Sequence, residues 1–278
     1  MEAQLFFIPT PIGNLEDISL RSLRLLRECD AIACEDTRHT RRLLAHYEIK
    51  KPLISYHAHN ERSRALELIE MVKEGTKLAV VSDAGMPGIS DPGQALIQLA
   101  QEEDIPYTVL PGPSAAITAY VASGMGDGRF SFLGFIPRKG QERISFLEDL
   151  DTNPLTAICY EAPHRIRKTM KELSERWPDR QFATARELTK VYEEIIIKKG
   201  SDWTPEDITE KGEFVIVIGP AQIEDDQWTE ERIKERFAEL NRQGVSSKEA
   251  LQVLIEESRW RKNDLYPLQI AVRQDKIG

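Results

Sequence analysis

The feature that most narrows what this chain can fold into is the regular alternation, from Leu5 to Ser123, of short apolar runs with amphipathic segments at helical spacing. Leu5-Phe6-Phe7-Ile8, Ala31-Ile32-Ala33-Cys34, Leu53-Ile54-Ser55, Leu78-Ala79-Val80-Val81 and Tyr107 to Leu110 read as strands. Helices are expected over 18–28 with Asp17 as its cap, over 38–47, over 60–74 where Gly75 stops it, and from Gly93 to about 103. An Ala-rich helix follows Pro111-Gly112-Pro113. Such repetition calls for a mostly parallel sheet covered by helices on both faces, and sheets of this kind bind ligands beyond the carboxyl ends of their strands.

Gly124-Met125-Gly126-Asp127-Gly128 interrupts the pattern and is read as a domain junction; a phosphate loop would open a helix, whereas this run precedes a strand. Beyond it, strands are expected at 130–135, 155–160, 182–186, 194–199 and 214–218, with helices over 140–150 and 164–175. The later strands follow one another without long helices between them, so part of this second sheet is antiparallel. An acidic run, Glu224-Asp225-Asp226, then leads to a helical tail in which Ser247-Lys248-Glu249-Ala250 precedes an apolar helix. The expected domains are therefore 1–123, α/β with a mostly parallel sheet; 124–222, α/β with a mixed sheet; and 228–278, helical.

Composition removes several classes. Of 278 residues, 41% are hydrophobic and 30% charged, an ordinary globular balance. Acidic residues outnumber basic ones, 46 against 37, for a net charge of −9, so the whole surface is not a polyanion binder and nucleic-acid contact must come from local patches. No apolar run reaches the about 18 residues of a membrane span. Met1-Glu2-Ala3-Gln4 lacks the basic start and apolar stretch of a signal peptide, so no membrane association and a cytoplasmic location are expected. Cys29, Cys34 and Cys159 form no close pair, which fits reduced thiols, with Cys34 and Cys159 read as core residues rather than reactive ones.

Three Pro/Gly-rich loops follow three of the strands: Pro9 to Asp17, Ser82 to Gly93, and Leu110 to Ala116. Glycine lets backbone approach a ligand and proline fixes the turn, so these loops face one crevice as a ligand site or serve only as tight connections. Ser114 caps the following helix or faces a ligand. Basic groups gather at Arg38, His39, Arg41 and Arg42, at Arg138, Lys139 and Arg143, and at His164, Arg165, Arg167 and Lys168, each a solvated face or part of a polyanion surface. His57-Ala58-His59 is the sole close histidine pair, with side chains on one side of a strand but no third ligand at suitable spacing, so no metal is expected. Walker A, G-x-G-x-x-G and G-x-S-x-G patterns are absent.

Six segments taken in order carry a family resemblance. Pro9-Thr10-Pro11-Ile12-Gly13-Asn14-Leu15, Cys34-Glu35-Asp36-Thr37-Arg38, Ser82-Asp83-Ala84-Gly85-Met86-Pro87-Gly88, Pro111-Gly112-Pro113-Ser114-Ala115, Tyr160-Glu161-Ala162-Pro163-His164-Arg165 and Ala185-Arg186-Glu187-Leu188-Thr189-Lys190 resemble the ribosomal RNA small subunit methyltransferase I family of the tetrapyrrole methylase superfamily. The resemblance spans nearly the whole chain, with two departures: Met86 stands where the family usually has threonine, and Ala162 where it often has serine.

The resemblance implies two α/β domains of the tetrapyrrole methylase type with S-adenosylmethionine, in a bent form, in the cleft between them, plus a small C-terminal helical domain. It implies a homodimer that methylates a cytidine ribose 2′-hydroxyl in the decoding region of 16S rRNA within the small ribosomal subunit. Carried onto this sequence, the cofactor residues are Pro11, Ile12, Gly13, Ser82, Asp83, Ala84, Gly85, Met86, Ser114, Ala115, Ala162, Ala185 and Phe214. Glu187 or Glu161 is expected to accept the hydroxyl proton, with Lys190 easing ionisation, although Arg186 and Glu187 could equally form a structural ion pair. Arg38, Arg41, Arg42, Arg138, Lys139, Arg165 and Arg186 are expected to hold RNA. The tail serves as a ribosome contact, a helix-turn-helix, or a contact with the partner subunit.

Two other readings stay open on sequence. A small-molecule tetrapyrrole-type methyltransferase of the same superfamily typically carries a G-x-G-P-G-D first loop where this chain has Pro-Thr-Pro-Ile-Gly-Asn. A non-catalytic RNA-binding assembly factor would keep the fold but not the intact cofactor loops.

Overall fold

The computed structural model describes residues 4–57, 60–221, 228–258 and 260–274. His59 of the histidine pair and the acidic run 224–226 lie outside them. The chain divides into two compact units, 1–221 and 222–278.

The first unit begins as the alternation demands. Strands β1 (Leu5–Phe7), β2 (Ala31–Cys34), β3 (Leu53–Ser55), β4 (Leu78–Val81) and β5 (Tyr107–Val109) form one all-parallel sheet in the order β3-β2-β4-β1-β5. Helices α1 (Leu20–Glu28), α2 (Thr37–His46), α3 (Glu61–Lys73) and α4 (Gln94–Glu102) connect them. Two cores lie on its two faces: Leu5, Phe7 and Val80 pack with Leu68 of α3 and Leu96 of α4, while Ile8, Ile32 and Ala79 pack with Leu26 of α1 and Leu44 of α2. One boundary is corrected. Ser19, not Asp17, caps α1, its side chain accepting from Ser22 N at 3.0 Å, because residues 15–17 wind into a 3₁₀ turn first. β3 also stops at Ser55, which leaves His57 outside the strand.

Helix α5 (Ala115–Ser123) ends on Gly124, whose φ of 64° is the left-handed conformation of a helix stop. The second sheet has β6 (Phe130–Phe135), β7 (Thr156–Glu161), β8 (Gln181–Arg186), β9 (Glu194–Lys199) and β10 (Phe214–Ile218) in the order β6-β7-β10-β8-β9. β6 and β7 run parallel and the other pairs antiparallel, the mixture expected. Helices α6 (Gln141–Asp151) and α7 (Ile166–Arg176) pack on one face through Leu150, Ile166 and Leu173. The opposite face is covered by α5, whose Ala116 and Ala119 join Ile158, Val215 and Val217. A helix expected in the first domain thus completes the core of the second sheet. All three cysteines are buried free thiols; burial pushes Cys159 up to about 12 and Cys29 to about 11.

In the second unit, α8 (Glu230–Arg242), α9 (Ser247–Ser258) and α10 (Lys262–Gln274) surround Ile233, Phe237, Leu254 and Leu265. Arg236 of α8 clamps Glu239 at 2.7 Å and Glu257 of α9 at 2.8 Å. Among the described residues no helix is long and apolar enough to cross a membrane.

Candidate active site

β4, β1 and β5 are neighbours, so their following loops meet at one edge of the first sheet. Opposite them stand the start of α5, the ends of β7 and β8, and the start of β10. These elements enclose a cavity of about 430 Å³, within the about 300–1,000 Å³ common for small-molecule sites.

The loop after β4 is held in shape by its own bonds. Buried Ser82 donates from Oγ to the Gly85 carbonyl at 2.9 Å, and Thr10 Oγ1 donates to the Ser82 carbonyl at 3.1 Å. Thr10 and Gly85 also exchange backbone hydrogen bonds of 3.0 Å, which fastens the first loop to this one. At its far end, Glu61 of α3 accepts from Gly93 N at 2.9 Å and Ala95 N at 3.3 Å, and Tyr56 donates to the same oxygen at 3.3 Å. Gly93 lies so close to Gly88 that a Cβ there would stand 2.9 Å from Gly88 N.

Glu35, Asp83 and Asp91 line the cavity, and none forms an ion pair among the described residues. Asp83 accepts from Asp36 N at 3.1 Å. Burial, reinforced by Asp91 and Asp83, pushes the Glu35 carboxyl up from its ordinary range; burial and then Asp83 do the same to Asp91. The wall is otherwise largely apolar, with Ile12, Met86, Phe135, Ala162 and Val215. Ser114 caps α5, accepting from Ile117 N at 3.5 Å, and is also among the residues that line the cavity.

On the second sheet's side, Glu161 is buried and its carboxylate is filled by three donors: Ala162 N at 2.7 Å, Arg165 Nη2 at 3.1 Å and Thr169 Oγ1 at 2.6 Å. Arg165 also donates to the Ile136 carbonyl at 2.6 Å, so it braces the end of β6 instead of facing solvent. The β8–β9 loop, residues 187–193, carries Glu187 and Thr189 at φ of 49° and 65°, a left-handed backbone that costs free energy outside glycine. Lys190 bonds Glu187 at 2.8 Å and Glu213 at 2.7 Å. The Lys190 bond holds Glu187 below its usual range; burial opposes charge on Lys190, but its two carboxylates outweigh it and raise the ammonium. Arg186 pairs with Glu194 at 3.1 Å, its neighbour across β8 and β9. The structural pair thus exists with a partner other than Glu187.

Of the cofactor residues expected from sequence, Ile12, Asp83, Ala84, Gly85, Met86, Ser114, Ala115, Ala162, Ala185 and Phe214 line the cavity. Pro11, Gly13 and Ser82 do not line it: Pro11 and Ser82 are buried, and Gly13 is exposed against Lys190 and Thr189. Glu161 lines it, whereas Glu187 and Lys190 flank it through Leu188 and Glu213. Arg38, Arg41, Arg42, Arg138 and Lys139 are exposed, with Arg38 bonded to Asp36 at 3.2 Å; Arg165 and Arg186 are turned inward. Sequence reasoning missed Glu35 and Glu213, although Glu35 lies inside a quoted segment and Glu213 directly precedes an expected strand; Ser90 and Asp91, the second Ser-Asp pair of the 82–93 loop, line the cavity with the first.

The sequence model described as Tetrapyrrole (Corrin/Porphyrin) Methylases matches residues 4–203. Ribosomal RNA small subunit methyltransferase I of Bacillus subtilis (strain 168) is 41% identical over 270 residues, which cover 94% of this chain and 92% of that protein. The chain belongs to the ribosomal RNA small subunit methyltransferase I family of tetrapyrrole methylases. The namesake from Haemophilus influenzae is 40% identical, with 96% of each chain covered. Among solved structures, the methyltransferase CobJ superposes with a TM-score of 0.60 at 22% identity, covering 79% of this chain and 95% of that one. Diphthine synthase superposes with 0.63 at 13% identity, covering 77% and 89%. These two show the fold, that of the tetrapyrrole methylases.

As a member of this family the protein is a methyltransferase that uses S-adenosylmethionine. The cavity fits that donor. Glu35, Asp83 and Asp91, which form no ion pair among the described residues, would meet its positive sulfonium and ammonium groups in a largely apolar chamber. The α5 amino end at Ser114 and Ala115 would meet its carboxylate, and the apolar wall its adenine.

Proposed function

We propose that the protein methylates the ribose 2′-hydroxyl of a cytidine in the decoding region of 16S rRNA, within the small ribosomal subunit, in the cytoplasm and as a homodimer. The observation that carries the reading is a donor cavity at the edge of the first sheet in a chain about 40% identical, over nearly its full length, to proteins named for rRNA small subunit methylation. Arg38, Arg41, Arg42, Arg138 and Lys139 are the exposed cations offered to phosphates. A homodimer suits the apolar side chains left outside on α5 and on edge strand β6, where Val121 is 71% and Phe135 61% exposed.

Bound in the cavity, the donor supplies an electrophilic methyl group on a positively charged sulfur. The loops after β1 and β4 are tied to each other, and walls fixed in this way would position donor and hydroxyl, which supplies much of the acceleration. Glu187, kept ionised by Lys190, is the acceptor offered to the hydroxyl proton, while Glu161, filled by three donors, braces the wall. Single-turnover methylation by Glu187→Gln tests this role: a rate equal to wild type at bound substrate rejects it. The substrate is tested by transfer of radiolabelled methyl to small subunits lacking the modification, followed by nucleoside analysis. Label in 2′-O-methylcytidine is expected; label on a base, or none on RNA, overturns the reading.

A further inference from the structure

We propose that the β8–β9 loop presents Tyr192, with Val191, as a stacking platform for an unpaired base of the RNA beside the methyl-donor cavity; the inference rests on the RNA reading above. The root of this loop flanks the cavity, since Leu188 and Glu213 line it and Lys190 packs on Gly13. Its backbone is fixed. Thr189 N donates to the Glu193 carboxylate at 2.6 Å, Asn14 N donates to Thr189 Oγ1 at 3.0 Å, and Glu193 N donates to the Lys190 carbonyl at 3.1 Å.

The next two side chains are left outside. Val191 is 94% and Tyr192 71% exposed, and Tyr192 makes no hydrogen bond or ring contact among the described residues. No described residue bonds or stacks on this ring, and the hydrogen-bonded loop beneath it fixes the backbone that carries it. The loop's cations are spent, Arg186 on Glu194 and Lys190 on Glu187 and Glu213, so a phosphate finds no partner at the tip. An aromatic face free of charge takes a base.

A ribose hydroxyl can enter the cavity only if its nucleotide, or a neighbour, leaves the RNA stack, and an aromatic ring on a rigid loop returns the lost stacking. A second copy of this chain fits less well, because a tip of two residues falls far short of the about 800 Å² per partner of a stable interface.

The test is a steady-state comparison of wild type, Tyr192→Ala and Tyr192→Phe on small subunits lacking the modification. Tyr192→Ala is expected to raise the KM for RNA by about 5- to 150-fold, with kcat at saturating RNA and the calorimetric affinity for S-adenosylmethionine unchanged. Tyr192→Phe, which keeps the ring, restores the wild-type KM. An unchanged KM in Tyr192→Ala overturns the platform alone, as does a change in its oligomeric state by sedimentation velocity. A wild-type enzyme that leaves small-subunit RNA unlabelled overturns the RNA reading and the platform with it.

Discussion

Gly13→Ala tests whether the close approach of the first loop to the β8–β9 loop shapes the donor cavity. A Cβ at this position would lie 2.5 Å from Lys190 Cγ, 2.8 Å from Thr189 Oγ1 and 2.9 Å from the Leu188 carbonyl oxygen. Ordinary contacts begin near 3.4 Å, so something must move by about half an ångström or more. The lysine stem cannot swing away freely, because its ammonium holds Glu187 and Glu213, and Leu188 offers backbone. Overpacking of this kind costs about 1–3 kcal/mol. Borne by the approach of the two walls, that cost weakens S-adenosylmethionine binding by about 5- to 150-fold, at 1.36 kcal/mol per tenfold. Borne by the fold, it lowers the melting midpoint by about 2–12 °C for a unit of this size. Isothermal titration calorimetry and differential scanning calorimetry read the two channels separately. An alanine protein with wild-type affinity and midpoint would refute the claim that these loops are in load-carrying contact.

Asp91→Asn is expected to raise the melting midpoint of the ligand-free protein, by about 2–4 °C for each kcal/mol of repulsion relieved, while weakening binding of the donor. The sign follows from the raised Asp91 and Glu35 carboxyls. The folded protein holds these protons to higher pH than the unfolded chain, so ligand-free stability grows as pH falls through the raised values, and a positively charged donor releases protons on binding. Titrations in buffers of different ionisation enthalpy check that release. Glu161→Ala strips Arg165 of its buried partner and should cost about 3–5 kcal/mol by thermal unfolding, with Glu161→Gln milder; a glutamine protein of full stability and abolished turnover would return Glu161 to the chemistry. Glu61→Ala removes the acceptor at the start of α4, at about 0.5–2 kcal/mol, and should speed amide exchange at Gly93 and Ala95 while weakening donor affinity; unchanged exchange there removes Glu61 as the clamp.

The alternation of apolar runs and amphipathic segments determined by itself that the chain as far as Val109 builds a parallel sheet, because burial on both faces of a strand writes an unbroken apolar run such as Leu78 to Val81. The Pro/Gly-rich loops after β1, β4 and β5 were legible for a similar reason, since tight backbone turns restrict residue type locally; of the thirteen cofactor residues that the family resemblance implied, ten line the cavity beside these loops. Only the tertiary structure decided which way the charges point. Arg186 finds Glu194 across a strand pair, Glu161 finds Thr169 a turn into the next helix, and Glu35 has no cation partner among the described residues because the end of β2 sets it beside Asp83 and Asp91. It also decided that α5 completes the second sheet. Ala116 and Ala119 are equally suited to either domain in sequence, and the face they bury is fixed by Ile158 and Val217, residues far along the chain. A side chain's chemistry is written where it stands, but its partners are set by segments that meet only after folding.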